Sequence, residues 1–338
     1  MDGRNWRMLA AGVAGALVIF AVLFYLVGGQ RIIEELTHAT PSLVGATVGF
    51  GLLWLIAWSL MLRTILGTLG VPVALVRSFA IYAAAVFANN VTPFGQAGGE
   101  PVAALLISRS SNARYETGLV GIASLDVLNV VSSLSLIGLG VSYYALNFTL
   151  GERLETAIIT VVVLVAAIVV AFTFVWHRRE QFVEYIAGAL ARVLGRIPLD
   201  RLDGIDEDDL VERMQRFFGH VERVAVNRRR LAITIGLSTV GWLFQGAALM
   251  AAFAAVGYSV PFYVVLFVIP LGNMAGAAPL PGGLAAIEAT FVALLVPTTG
   301  LPGSAVAAAV LIYRSVIYWM PVLIGGGSMT AFGVRSFA

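Results

Sequence analysis

A polar, proline-broken segment that occurs twice inside long apolar stretches constrains this chain more than any other feature. The first copy spans residues 89–100 and the second spans residues 273–288. In each copy a proline precedes a glutamate by the same spacing, and one constant offset along the chain carries Pro93 to Pro281 and the first glutamate to the second. Duplicated helix breaks of this kind are typical of membrane transporters, which form their substrate sites between two repeats.

The composition places these segments in a membrane. Of the 338 residues, 59% are hydrophobic and 12% are charged, whereas soluble domains carry about 25% charged residues. The chain has no cysteine, which excludes disulfides, thiol catalysis and cysteine metal sites. We therefore predict an all-α, polytopic integral membrane protein that forms a single membrane domain over residues 1–338.

Apolar runs of about 20 residues, the length that a helix needs to span a bilayer, recur along the chain. Two longer apolar regions, residues 72–108 and 262–298, are interrupted by proline and glycine, so each predicts two helical legs joined by a tight turn. The first run is too long for the core of a signal peptide, roughly 7–15 residues, and is interpreted as a retained helix. The runs lie near residues 8–27, 43–62, 118–143, 155–176, 231–255 and 304–325.

Arginine placement orients the spans, because cytoplasmic loops carry an excess of basic residues. Arginines near both ends predict that the two termini lie in the cytoplasm. The protein is predicted to lie in the plasma membrane. By the same rule the hairpin 72–108 starts from the cytoplasmic face and the hairpin 262–298 from the opposite face. We predict two inverted repeats, residues 43–140 and 231–328, each a span, a broken re-entrant hairpin and a span. A fully crossing hairpin would preserve the same parity.

Residues 177–230 are predicted to form the sizeable soluble part of the chain. Apolar residues at helical spacing, with arginines nearby, suit a helix that lies on the cytoplasmic membrane surface, and this segment could bind a cytoplasmic or membrane partner. The acidic run 203–209 has the wrong spacing for a calcium-binding EF-hand loop. The sequence predicts no metal site, no cofactor and no nucleic-acid partner.

The chemistry is expected at the two breaks. In hydrocarbon every backbone polar group needs a partner, so irregular backbone persists where protein or a water-filled cavity covers it. Helices that start after a break present free N–H groups, which favour phosphate. The predicted substrate-binding and translocation residues are Asn89, Asn90, Pro93, Gly98, Gly99, Glu100, Asp126, Pro281, Gly282, Gly283, Glu288 and Arg314.

Glu100 and Glu288 occupy equivalent positions in the first turns of the predicted legs. They have two interpretations: carboxylates that cap and stabilise the helix start, or functional carboxylates that couple to a proton or cation or form half of a buried ion pair. We favour the second interpretation, because charge at this depth is unfavourable and is rarely retained for packing alone. Glu288 is expected to face Arg314 or another arginine.

Arg314 lies about ten residues, or roughly 15 Å, from the outer end of its span, which is too deep for its side chain to reach the surface. It is expected to bind a phosphate or to pair with a glutamate. Asp126 is the mirror position in the first repeat. A pair of Asp126 with Arg109 or Arg114 is one arrangement that the sequence allows.

Other polar and aromatic residues in the spans have less specific interpretations. Asn89 and Asn90 either terminate a helix or contact a ligand. Gln245 is expected to form an interhelical hydrogen bond. Trp54 and Trp242 are related by the same offset that relates the two breaks, and they are expected to be core residues.

Several short motifs form a known pattern. They are Asn89-Asn90-x-x-Pro93, Gly98-Gly99-Glu100-Pro101-Val102, Pro281-Gly282-Gly283-Leu284, Ile287-Glu288-Ala289, Tyr313-Arg314 and Trp319-x-Pro321. Over most of the chain they resemble the flippase-like family that includes the transmembrane region of lysylphosphatidylglycerol synthases. The resemblance implies movement of phospholipids or polyprenyl-phosphate lipids between leaflets. The chain departs from it at residues 103–104 and 123–125, near which members often carry arginine.

We therefore predict a lipid flippase rather than an enzyme. Its substrate would be a phosphate-bearing membrane lipid, either a phospholipid or a polyprenyl-phosphate-linked lipid. Because the chain carries no ATPase phosphate-binding motif, transport would be passive or driven by an ion. Two alternatives stay open: a membrane enzyme acting on lipid-linked substrates, either a phosphatase or a transferase, and a non-transporting scaffold that recruits a partner through residues 177–230.

Overall fold

The regular secondary structure that the computed structural model describes is entirely helical. The chain divides into two compact units, and the described residues belong mainly to the unit formed by Met1–Thr149 and Ala232–Ala338. Apart from isolated positions, the predicted runs 8–27 and 155–176 and nearly all of the segment 177–230 lie outside the described residues. The structure describes residues 28–92, 96–111, 113–147, 227–278 and 280–331.

Five helices cover the first half of the described chain. A short helix that the sequence did not predict precedes the first long helix, and it packs against the last helix of the chain through the fully buried Ile32. Proline at the start of the first long helix removes a donor that would lack an intrahelical partner there. The five helices are α1 Gly29–Thr37, α2 Pro41–Thr68, α3 Leu75–Val91, α4 Gln96–Ser111 and α5 Tyr115–Asn147.

The second half repeats the order of a long helix, a broken pair and a long helix. Its elements are α6 Arg228–Ala255, α7 Phe262–Met274, the 3₁₀ turns Ala275–Ala277 and Pro281–Gly283, α8 Ala286–Thr299 and α9 Gly303–Ala331. The predicted spans 43–62, 118–143, 231–255 and 304–325 are therefore confirmed as helices. Five segments of the described residues are long and apolar enough to cross a membrane: Pro41–Thr68, Tyr115–Leu146, Arg228–Ala255, Pro281–Thr299 and Gly303–Thr330.

Both predicted helix breaks are present. In the first half α3 ends at Val91 and α4 begins at Gln96. In the second half α7 gives way to two 3₁₀ turns before α8 begins at Ala286. Gly282 has a positive φ of 56°, a conformation that glycine adopts without steric penalty.

The first long helices of the two halves, α2 and α6, run antiparallel where they meet. Near one end the Thr40 amide donates to the carbonyl of Ala255 at 2.8 Å. Farther along α2, the Trp58 indole donates to the carbonyl of Ser238 at 3.2 Å. Because the residue numbers rise along α2 as they fall along α6, the two helices point in opposite directions.

A hairpin helix of each half also packs against the other half. The most extensive helix contacts join α3 to α9 and α7 to α5, so that the first leg of each broken pair packs on the last helix of the other half. On the α3–α9 side the helices approach so closely that a Cβ on Gly325 would collide with the carbonyl oxygen of Ala83. This packing holds the two breaks against each other.

Candidate functional site

The two helix breaks are in direct contact. A Cβ added to Gly282 would lie 3.1 Å from the Cα and from the carbonyl oxygen of Asn90, and it would collide with the ring of Tyr318. Gly282 belongs to the second break, Asn90 is in the last turn of α3 before the first, and Tyr318 lies on α9. Backbone therefore meets backbone at this point, which a larger residue at position 282 would prevent.

Asn90 and Tyr318 hold this contact with a reciprocal pair of hydrogen bonds. The Asn90 side-chain amide donates to the carbonyl of Tyr318 at 3.2 Å. The Tyr318 hydroxyl donates to the carbonyl of Asn90 at 3.1 Å. These bonds satisfy polar groups at the end of α3 that would otherwise be unfavourable in an apolar environment.

Asn89 closes the first break. Its side-chain oxygen accepts a hydrogen bond from the Gly99 amide at 2.6 Å. A Cβ at Gly99 would collide with the carbonyl oxygen of Ala85, so the glycine allows α4 to approach α3. Both asparagines thus make interhelical contacts within the protein. For Gly98 the structure describes the helical backbone, and Pro93 lies outside the described residues.

A buried ion pair lies beside the second break. The Arg314 Nε atom donates to the Glu288 Oε1 atom at 2.8 Å, and the two side chains are 8% and 2% exposed. A second guanidinium nitrogen, Nη2, donates to the carbonyl of Gly282 at 3.1 Å. The guanidinium also lies 5.7 Å from the centre of the Tyr318 ring, a cation–π distance. The expected pairing of Glu288 with Arg314 is confirmed.

The ion pair has unused hydrogen-bonding capacity. Guanidinium groups carry five N–H donors, and in the described part of the chain the bonds of Arg314 use Nε and Nη2. The Glu288 Oε2 atom is buried and has no hydrogen-bond partner there. A ligand that enters this site would therefore meet free donors and one free acceptor.

Backbone strain accompanies the ion pair. Ala285, directly before α8, has φ 69° and ψ −38°, which is near the strained γ-turn conformation that residues with a Cβ rarely adopt. Glu288 lies in the first turn of α8, as predicted, and no side chain caps that helix. The start of α8 therefore keeps backbone N–H groups near Arg314 and Glu288.

The corresponding pair in the first half consists of two acids. The carboxyl groups of Glu100 and Asp126 lie within hydrogen-bonding reach of each other. The suggested pairing of Asp126 with Arg109 or Arg114 is wrong. Arg114 instead lies 3.6 Å from Glu116 in an exposed pair at the start of α5, well along the helix from Asp126.

The placement of Glu100 in a first turn is also wrong. The first turn of α4 contains no acidic residue, because the helix begins at Gln96. Glu100 is thus farther into its helix than Glu288 is, and it is half-buried. This difference weakens the capping interpretation for Glu100.

Gln245 joins three helices, which confirms the predicted interhelical hydrogen bond. Its side-chain oxygen accepts from the Asn273 amide at 3.2 Å and from the Tyr313 hydroxyl at 3.0 Å. Tyr313 immediately precedes Arg314 and is fully buried. The network therefore fixes the stretch of α9 that carries the arginine.

Of the two tryptophans that the offset relates, Trp54 is a core residue, as expected, whereas Trp242 is only partly buried. Trp54 is 4% exposed, and both Trp54 and Trp242 make edge-to-face contacts with Trp58, with ring centres 5.5 and 5.2 Å apart. The Trp242 indole donates to the carbonyl of Asn129 at 3.2 Å. They stabilise the contact between the halves.

Tyr318 is the contact residue that the sequence analysis missed. It follows Arg314 by one helical turn on α9, and residues at this spacing share one face of a helix. That spacing was the available signal. The pairing across the break to Asn90 could not be read from the chain, because the two residues are 228 positions apart.

Comparison with known proteins places this arrangement in a family. The model of the family described as the lysylphosphatidylglycerol synthase TM region matches residues 9–325. The chain belongs to this family. With five candidate spans among the described residues, this member of the lysylphosphatidylglycerol synthase TM family is a multi-pass protein embedded in a lipid bilayer.

Its relatives are also membrane proteins. A UPF0104 membrane protein of Pyrococcus horikoshii is 25% identical over 333 residues, 96% of each chain. A UPF0104 membrane protein of Methanothermobacter thermautotrophicus is 25% identical over 325 residues, 94% of this chain and 93% of the relative. The inner membrane protein YbhN of Escherichia coli is 34% identical over 89 residues, 26% of this chain and 27% of the relative.

Proposed function

We propose that this protein is a flippase that moves a phosphate-bearing lipid, a phospholipid or a polyprenyl-phosphate-linked lipid, between the leaflets of the plasma membrane. The observation that carries the proposal is the buried Arg314, held by Glu288 against two helix breaks that touch each other. A charged group at this depth in a membrane protein is a functional-site residue by default.

The site suits an anionic headgroup. The free guanidinium donors of Arg314 and the uncapped start of α8 both favour phosphate oxygens. Without a ligand, Glu288 balances the charge of Arg314 in the apolar interior. An arriving phosphate competes with Glu288 for the same guanidinium, so binding and release exchange one partner of the arginine for another.

Alternating exposure of the site follows from inverted repeats. The antiparallel contact of α2 and α6 supports inversion, as does the packing of a hairpin helix of each half against the other half. The second leg of the first half, α4, has 16 residues, about 24 Å of helix, which is shorter than the hydrocarbon core of about 30 Å and suits a re-entrant hairpin. In the second half, α8 together with the 3₁₀ turn before it, Pro281–Thr299, is long enough to cross a membrane. Both lengths fit hairpins that enter from opposite faces, with both termini in the cytoplasm.

The family name supports a lipid as the cargo, because lysylphosphatidylglycerol is a phospholipid. We place this chain among non-enzymes, with lipid movement that is passive or driven by an ion. The lipid headgroup follows the polar path through the breaks while its tails stay in the bilayer. Residues 177–230 are assigned no step in this process.

Reconstitution into liposomes tests the proposal. Purified protein should move the headgroup of a labelled phospholipid or polyprenyl phosphate across the bilayer and leave the lipid chemically unchanged. Arg314→Ala should abolish this movement, whereas Arg77→Ala should not, because Arg77 is exposed and its side chain donates to the carbonyl of Ser110. A covalently altered product would establish an enzyme instead, and equal movement in empty liposomes would refute transport.

A second experiment identifies the cargo. Mass spectrometry of lipids that co-purify with the protein should reveal a phosphate-bearing species whose recovery falls in the Arg314→Ala variant. A co-purifying lipid without phosphate, retained equally by both proteins, would contradict the assignment of Arg314 to the headgroup.

A further inference from the structure

The two halves place a pair of side chains at equivalent positions, and the pairs differ in charge. In the second half Glu288 is followed along the chain by Arg314, and in the first half Glu100 is followed at the same separation by Asp126. Both pairs are in contact in the structure. The second pair is an acid with a base, whereas the first pair is an acid with an acid.

The second pair has no net charge. Arg314 supplies one positive charge and Glu288 one negative charge at 2.8 Å, with both side chains buried. The same backbone arrangement in the first half positions two carboxyl groups without a basic partner. Across the described residues, neither Glu100 nor Asp126 takes part in an ion pair, and Tyr82 of α3 lies near Asp126.

Basic residues on the surrounding helices do not fill this gap. Helix α6 packs on α5 near Asp126, where Ser238 donates to the Asn129 side-chain oxygen, but its arginines, residues 228–230, lie in its first turn, roughly 12 Å along the helix from Ser238. Helices α2, α3 and α7 also pack on α4 or α5, the helices that carry the two carboxyl groups. On these five helices arginines lie toward helix ends, and two of them bind backbone carbonyls there, Arg63 that of Val73 and Arg77 that of Ser110. The third, Arg109, lies in the last turn of α4, roughly 13 Å along the helix from Glu100.

Two ionised carboxylates are both acceptors and cannot hydrogen-bond to each other. Contact between them requires a proton on one oxygen, which then donates to the other carboxylate. A metal ion is a weaker occupant, because no group of three or more His, Asp or Glu side chains comes together in the part of the chain that the structure describes. A proton therefore takes the place in the first half that Arg314 takes in the second.

We propose that Glu100 and Asp126 form a proton-binding site, and that exchange of this one proton couples lipid movement to the pH difference across the membrane. The coupling rests on the proposed flippase function; the proton site does not. Each cycle takes up one proton from one side and releases it to the other, and no covalent bond changes. Proton loss leaves two like charges in contact, which drives the α4–α5 contact apart.

Infrared spectroscopy of the purified full-length protein in lipid tests the proton site without any transport. The carbonyl stretch of a protonated carboxyl group should be present at neutral pH and should disappear on alkaline titration. Asp126→Asn and Glu100→Gln should each remove it. Glu116→Gln should leave it unchanged, because Glu116 lies on the same helix α5 in an exposed pair with Arg114.

A charge-restoring variant keeps the test decisive if the amide variants do not fold. Asp126→Arg rebuilds the acid–base pair of the second half in the first half, so it should fold and lack the protonated band at all pH values. Absence of that band from the unaltered protein at neutral pH, or its persistence in Asp126→Arg, would overturn the proton site.

Transport measurements separate the two proposals. Lipid movement by the unaltered protein should change several-fold when the pH gradient is reversed, and movement by Asp126→Arg should not respond to the gradient. A protonated band together with gradient-independent movement would overturn the coupling. A protonated band with no lipid movement under any condition would refute the flippase and leave the proton site standing.

Discussion

Arg314 and Glu288 are both buried, and each balances the charge of the other. Removal of one partner from a buried ion pair leaves an uncompensated charge and destabilises a protein by about 3–5 kcal/mol, whereas replacement of both partners by apolar residues is often neutral. Because the pair also bonds to Gly282 in the second break, its loss affects backbone as well as side chains. The pair is thus a structural requirement of the site in addition to its proposed role in binding.

The charge balance of this pair is testable by unfolding. Arg314→Leu should lower the free energy of unfolding in detergent by about 3–5 kcal/mol, and addition of Glu288→Leu should restore a large part of it. The control is Arg114→Leu, whose partner Glu116 lies 3.6 Å away in a pair with side chains 69% and 45% exposed, and which should change stability by about 0–1 kcal/mol. Equal losses at both arginines would contradict this account.

Close contact at Gly282 gives a second prediction at the level of single residues. Gly282→Ala should destabilise through its positive φ and through collision of the new methyl group with Tyr318. Gly300 has φ 69° and open space around it, so Gly300→Ala isolates the backbone effect, about 1–2 kcal/mol. Thermal unfolding should show a loss for Gly282→Ala that is larger by about 1–3 kcal/mol; a loss no larger than that of Gly300→Ala would show that the breaks are not tightly packed.

Among the helices, the contact of α3 with α9 is set by backbone proximity. A Cβ on Gly325 would meet the carbonyl oxygen of Ala83, an atom that cannot rotate away as a side chain would. Any larger residue therefore has to push α3 and α9 apart. This movement would also stretch the reciprocal bonds between Asn90 and Tyr318 on the same two helices.

Two glycines of one helix make this contact testable. Gly325→Ala should destabilise the protein by about 1–3 kcal/mol through overpacking. Gly327→Ala meets nothing within 4 Å and should stabilise α9 by about 0.5–1 kcal/mol, because alanine loses less backbone entropy than glycine in a helix. Denaturation in mild detergent measures both variants. A stabilising Gly325→Ala would mean that α3 and α9 are farther apart than the structure shows.

The long helices and their breaks could be predicted because their signals are local. Runs of about 20 apolar residues indicate spans, and the proline and glycine clusters at 93–99 and 279–283 mark the interruptions. The short helix Gly29–Thr37 was missed, since a short segment that includes three charges carries no span signal. Its burial depends on packing against α9, which is distant in sequence.

The part of the site that lies at duplicated positions could be predicted from the sequence. The offset aligned Glu288 and Arg314 with Glu100 and Asp126, and the ion pair follows from charge. The pairing of Asp126 with Arg109 or Arg114, which the sequence allowed, is wrong, because closeness along the chain does not decide which side chains meet between helices. The geometry of the helical repeat, rather than local charge, decides what Asp126 contacts. The sequence showed this geometry as the equal separation of Glu100 from Asp126 and of Glu288 from Arg314.

For the whole molecule, the proposed mechanism depends on the direction in which each half is oriented in the membrane. Helices α2 and α6 are the first long helices of the two halves and meet antiparallel, which is the arrangement that the proposed inversion requires. In inverted repeats, loops at equivalent positions lie on opposite faces. The loop after α2 and the loop after α6 are such a pair, which makes their sidedness a direct measure of inversion.

Cysteine labelling measures that sidedness, and the native chain contains no cysteine that would interfere. Ala74 and Ser259 are exposed residues in the loops after α2 and α6, and both are small enough to replace with cysteine. In intact cells a membrane-impermeant maleimide should label Ser259→Cys and not Ala74→Cys, and permeabilisation should expose Ala74→Cys. Because arginines flank the loop after α2 and none flanks the loop after α6, the positive-inside rule predicts this order. Labelling of both positions from the same face would remove the inversion, and with it the alternating exposure of Arg314 on which lipid movement depends.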